Sequence, residues 1–92
     1  MRLDKFLKIS RIIKRRTVAN AVCSGGRVSV NGRVAKPGAD VGIGDVLEIR
    51  FGSHVGRYRI VDLQEQVRKE GARDLYEVLQ EDPALAAEFR AD

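Results

Sequence analysis

Lys and Arg hold seven of the first sixteen positions (Arg2, Lys5, Lys8, Arg11, Lys14, Arg15, Arg16), with Leu3, Phe6, Leu7, Ile9, Ile12 and Ile13 between them. At helical spacing, that interleaving packs one face and shows positive charge on the other, the chemistry of a polyanion site. Guanidinium forks suit the task because they take phosphate oxygens bidentately and stack on bases. Two short packed helices joined by a tight turn would set Arg2, Lys5 and Lys8 beside Lys14, Arg15 and Arg16. Lys36 extends the patch, and Asn31-Gly32 offers an exposed turn with an amide and free backbone N–H groups. Asp4, one helical turn before Lys8, is placed to hold Arg2 or an arginine of a second helix.

Other chemistries are missing. His54 is the only histidine and has no cysteine, aspartate or histidine at ligand spacing, so it reads as a polar loop residue rather than a metal ligand or catalyst. Gly42-Ile43-Gly44 lacks the third glycine of a phosphate loop and runs into Asp45, which repels phosphate. Glu81-Asp82 lies in an acidic stretch, where a solvated face is the simpler reading than acid/base work. Single Cys23, among small apolar residues, is expected to be a core residue. No enzyme, metal or cofactor is expected.

The elements that must carry the cations can be read from period and punctuation. Arg2 to Ile9 predicts a first helix, with Asp4 in the first turn where a carboxylate favours the dipole. Ser10 to Arg15 predicts a tight connection plugged by Ile12 and Ile13, and Arg15 or Arg16 to Ser24 a second helix stopped by Gly25 or Gly26. Asn31-Gly32 between Val28, Val30 and Val34 predicts a hairpin. Val46 to Phe51 alternates like a half-buried strand, and Val55 to Leu63 predicts another. Leu75, Val78 and Leu79 at i, i+3, i+4 predict a short amphipathic helix over 74–80. Asp82-Pro83 opens a last helix from Ala84 to Arg90. Two units result: residues 1–63, an RNA-binding module with its strand extension, and residues 64–92, an acidic helical segment.

Charge is divided the same way. Residues 1–60 hold thirteen Lys/Arg against four acids, a balance of +9, and residues 61–92 hold four against nine, a balance of −5, within a 92-residue chain of net +4. The polyanion site is therefore expected in the N-terminal two-thirds. RNA is favoured over DNA, because the second helix after Thr17 is mostly Ala and Val, fit for burial rather than groove reading. Aromatics make up only 5%, which disfavours base-stacking platforms and leaves recognition of RNA shape and backbone. No apolar run suits a bilayer and no signal-like segment precedes the basic helix, so no membrane partner is expected and cytoplasm is the expected compartment.

The series Arg2-Leu3-Asp4-Lys5-Phe6-Leu7, Arg15-Arg16-Thr17, Ala19, Gly25 to Gly32 and Gly44-Asp45-Val46-Leu47 is similar to the S4-type RNA-binding domain. The resemblance implies an α+β fold, two N-terminal helices on a small, mostly antiparallel sheet with a short C-terminal helical segment. Among stand-alone members, the opening octapeptide, Lys14 to Thr17 and the Val46 to Gly52 strand resemble the RqcP family, paralogous to the heat-shock protein fifteen family. That likeness implies a bacterial ribosome quality-control factor. Its partners would be large-subunit rRNA, peptidyl-tRNA and, through the ribosome, the tRNA-recruiting protein RqcH, in support of alanine tailing. Carried over by position, Arg2, Lys5, Arg11, Lys14, Arg15 and Arg16 match RNA-facing residues, Asp4 an organiser or polar contact, and Asn31-Gly32 the hairpin turn. Competing readings are a recycling factor like the heat-shock relative and a DNA-binding or regulatory module. A monomer is expected, since no long exposed apolar stripe asks for a partner.

Overall fold

The computed structural model describes residues 1–90. Leu3, Phe6 and Leu7 recur at helical spacing and are buried along one side of helix α1 (Leu3–Ile9). Its N-cap residue, Arg2, makes no side-chain capping hydrogen bond. Leu3 and Asp4 instead donate to the Ala39 and Pro37 carbonyls (2.8 and 3.1 Å), which ties the Lys36–Asp40 loop to the start of α1. Helix α2 (Arg16–Ser24) buries Ala19, Val22 and Cys23 and ends at Gly25. Between the helices, Ile12 and Ile13 are fully buried, so the connection is as much core as either helix.

Five antiparallel strands form one sheet in the order β2-β1-β3-β4-β5: β1 (Val28–Val30), β2 (Arg33–Val34), β3 (Val46–Phe51), β4 (His54–Ile60) and β5 (Tyr76–Glu81). The β1–β2 turn has Asn31 at φ 52° and Gly32 at φ 84°, the two left-handed residues that a tight hairpin needs. Alternation sends Leu47, Ile49, Tyr58 and Ile60 into the core against the helices. On the opposite face Glu48 accepts from Arg50 and Arg57 (2.8 and 2.9 Å), and Arg59 pairs with Glu77 (3.1 Å). Three of the thirteen N-terminal cations are thus engaged within the sheet surface by two carboxylates.

Gly56 is set by close approach. A Cβ there would fall 2.5 Å from the Tyr58 hydroxyl oxygen, because the buried tyrosine lies across the glycine. That hydroxyl donates to Glu81, which also takes Arg90, closing the sheet onto helix α3 (Pro83–Arg90). Tyr58 and Tyr76 meet edge to face, with centroids 5.6 Å apart, as do Phe51 and Phe89. Burial and the Glu81 carboxylate both push the Tyr58 phenol well above its ordinary range.

The C-terminal third corrects one expectation. The amphipathic helix expected over 74–80 does not form: Lys69–Leu75 is a 3-10 helix and Tyr76–Glu81 is strand β5, paired with β4 from Gly56↔Glu81 to Ile60↔Tyr76 across a bulge at Arg57/Tyr58. Leu75 is buried, but Val78 and Leu79 are exposed, so the i, i+3, i+4 pattern was no core stripe. β4 otherwise had an unpaired edge, and β5 satisfies it. The final helix lies where expected, with Asp82 accepting from the Ala84 amide (2.9 Å) and Pro83 first in line. The expected loop residue His54 instead begins β4, its Nδ1 2.6 Å from Asp82 Oδ2.

Candidate nucleic-acid interface

The interface is organised by one carboxylate. Asp4 sits in the first turn of α1 with its side chain only 3% exposed, facing α2. Arg2 closes on it with two nitrogens (Nε to Oδ1 3.1 Å, Nη2 to Oδ2 3.3 Å), Arg16 reaches Oδ1 at 3.4 Å, and Asn20 donates to Oδ2 at 3.2 Å. The Lys5 amide completes the set at 2.8 Å. Burial raises the carboxyl pKa, but the Arg2 and Asn20 hydrogen bonds and the Arg16 charge outweigh it and hold it at about 2. Arg2 and Arg16, fourteen positions apart, are thereby fixed together, each guanidinium side chain about half exposed (54% and 48%). Their free edges remain available to an anion. Asp4, Arg16, Thr17 and Asn20 line an open cleft of about 510 Å³.

Lys36 stands exposed in the loop whose Pro37 carbonyl takes the Asp4 amide, at the same end of α1. Arg15 is exposed at the start of α2, whose first amides have no side-chain cap and favour an acceptor. Lys8 is exposed in the last turn of α1. Lys5 is engaged by Glu65, a carboxylate from beyond β4, so one expected contact has an internal competitor.

Arg11 and Lys14 belong to the connection. Arg11 has φ 59°, the left-handed conformation that glycine usually supplies after a helix, at a cost of roughly 1 kcal/mol for a residue with a Cβ. Its amide donates to Lys8 O (3.0 Å) and the Ile13 amide to Leu7 O (3.1 Å), closing the end of α1. Buried Ser10 braces the bend, donating to Leu7 O (3.2 Å) and accepting from the Ile12 amide (3.4 Å).

The hairpin tip is not simply an open amide. Asn31 donates Nδ2 to Asp45 (3.0 Å) and accepts the Val46 amide on Oδ1 (2.9 Å), so its side chain pins β1 to the start of β3. Gly32 is exposed with open space around its Cα. Sequence reasoning missed Thr17 and Asn20. The available signal was spacing, since Asn20 lies one turn beyond Arg16 on the exposed side of α2.

The segment that carries the two helices, the hairpin and the Asp4 cluster is also the segment, residues 1–47, that matches the S4 domain. A protein of Halalkalibacterium halodurans named RQC P-site tRNA stabilizing factor is 56% identical over 96% of this chain and 100% of its own length. The chain belongs to the S4-domain family of RQC P-site tRNA stabilizing factors. A Bacillus subtilis protein of that name is 48% identical, covering 89% of this chain and 95% of its own. Among solved structures, the trimeric Vibrio cholerae heat shock protein 15 superposes with a TM-score of 0.77 at 35% identity, over 85% of this chain and 80% of that one. The S4-domain match ends inside β3. The match with the H. halodurans relative, over 96% of this chain, extends well beyond that point into the sequence of the C-terminal elements.

Among the described residues there is no cluster of His, Cys, Asp and Glu able to hold a metal ion, and no helix long and apolar enough to cross a membrane. Cys23 is buried, and desolvation together with the Asp4 charge pushes its thiol up to about 11.

Proposed function

We propose that this chain binds large ribosomal subunits obstructed by peptidyl-tRNA, touching rRNA and tRNA together, and supports RqcH-dependent alanine tailing. In this reading it works in the cytoplasm, as a monomer and without catalysis or a cofactor. One basic surface that meets two RNAs gains affinity only when both are present, which selects obstructed subunits over empty ones. The observation that carries the reading is the Asp4 carboxylate holding Arg2 and Arg16 side by side with their outer edges free. The names of the relatives in H. halodurans and B. subtilis support it.

The test is co-sedimentation of Arg16→Ala with obstructed large subunits. About a ten-fold loss of affinity is expected, from one to two charge-assisted contacts, with the thermal midpoint little changed because Arg2 and Asn20 still hold Asp4. Unchanged co-sedimentation overturns the assignment. The likeness to heat shock protein 15 favours a second reading, a large-subunit recycling factor. Deleting the gene and blotting for alanine-tailed chains separates the two, since only the first reading expects the tails to vanish.

A further inference from the structure

We propose a second RNA phosphate site, a cavity between the α1–α2 connection and the C-terminal segment that takes a backbone phosphodiester; it rests on the RNA-binding reading above. The cavity has a volume of about 250 Å³, and its cations are Arg11, Lys14, Lys69, Arg73 and Arg90. Three of those five come from residues 61–92, which the charge balance alone excludes from a polyanion site. Folding reverses that reading: among the described residues no carboxylate lines the cavity, although Glu70 and Asp74 lie in the same 3-10 helix as Lys69 and Arg73.

Three further observations point to an anion. Arg11, Lys69 and Arg73 have no ion-pair partner among the described residues, a state they share with exposed cations such as Arg15 and Lys36, but only here do three such cations line one cavity among those described. Arg11 enters the cavity from a left-handed backbone position where glycine would be less strained, and strain kept at a charged residue marks a site that uses its side chain. Arg90 is pinned through its terminal nitrogens to Glu81, yet its Nε is a buried donor without a partner, the only such side-chain N or O among the described residues. A phosphate in the cavity meets the unpaired Arg11, Lys69 and Arg73, and a small shift of the Arg90 side chain, one of the lining residues, would bring its unsatisfied Nε to a phosphate oxygen. Tyr76 forms a wall and supplies a flat surface for the adjoining ribose.

The experiment titrates the isotope-labelled full chain with a short RNA hairpin and follows arginine Nε–H and backbone amide signals by NMR. Saturable shifts are expected at Arg11, Arg73 and Arg90 and along residues 69–76. Lys69→Gln and Arg73→Gln should each weaken hairpin binding about five-fold and make the log affinity against log salt slope shallower by about 1. Arg68→Gln removes the same charge one position away but outside the cavity, and should change affinity less than about two-fold. Equal effects for Arg68→Gln and Lys69→Gln, or no shift at 69–76 while the cleft at Asp4 and Arg16 saturates, would overturn the site. So would shifts produced by inorganic phosphate and not by the hairpin, which would assign a small-anion site. The ribosomal reading fails separately: a chain that shows the hairpin shifts but does not co-sediment with obstructed subunits keeps the cavity and loses the function.

Discussion

Asp4 reverses the usual arithmetic of charge. Asp4→Asn raises the net charge by one, so a surface governed by bulk electrostatics would bind RNA more tightly. The expected result is weaker binding, because Arg2 and Arg16 lose the carboxylate that fixes them. A co-sedimentation assay reads the sign. Stability should fall too, by roughly 2 kcal/mol at neutral pH, from a carboxyl held at about 2 against an ordinary value of 3.8. A depressed pKa stabilises the fold above the unfolded value and stops doing so as pH falls through the folded one. Urea midpoints of the parent and Asp4→Asn should therefore differ at pH 6 and converge as pH drops from about 4 to 2. Position alone suggested that Asp4 holds Arg2 or an arginine of the second helix, and it holds both. The hairpin at Asn31-Gly32 was equally legible, but the use of the Asn31 side chain was not, since Asp45 arrives from fourteen positions away.

Elements were readable wherever local period and punctuation agreed. α1, α2 and the hairpin lie where the apolar spacing and glycines put them. β5 was hidden because its reason is non-local: the open edge of β4 decides the conformation of 76–81, and no window on 74–80 contains that edge. The consequence is testable by truncation. A chain cut after Leu63 leaves the β4 edge unpaired and uncovers Tyr58 and Ile60, so aggregation or loss of cooperative melting is expected by light scattering and calorimetry. Within β4, Gly56→Ala forces Tyr58 away from Glu81 and should lower the unfolding free energy by about 2 kcal/mol, read from the urea midpoint. The tyrosine side chain is part of that strand's geometry.

At the scale of the molecule, charge is sorted rather than spread. The outer sheet face engages Arg50, Arg57 and Arg59 with Glu48 and Glu77, while the helix pair gathers Arg2 and Arg16 around the single Asp4 and so keeps a net positive charge there. If about five to seven phosphates are neutralised, log affinity for RNA should fall with log salt at a slope of roughly −4 to −6. A flat response in filter binding from low to high salt would contradict the electrostatic part. The same sorting applies to light absorption. The chain has no tryptophan, and its two tyrosines stand edge to face in one corner, with Tyr76 on the wall of the basic cavity. Tyrosine emission therefore comes from the β4–β5 corner, and a change in it on RNA binding reports from the wall of the basic cavity, since neither tyrosine lines the cleft at Asp4 and Arg16.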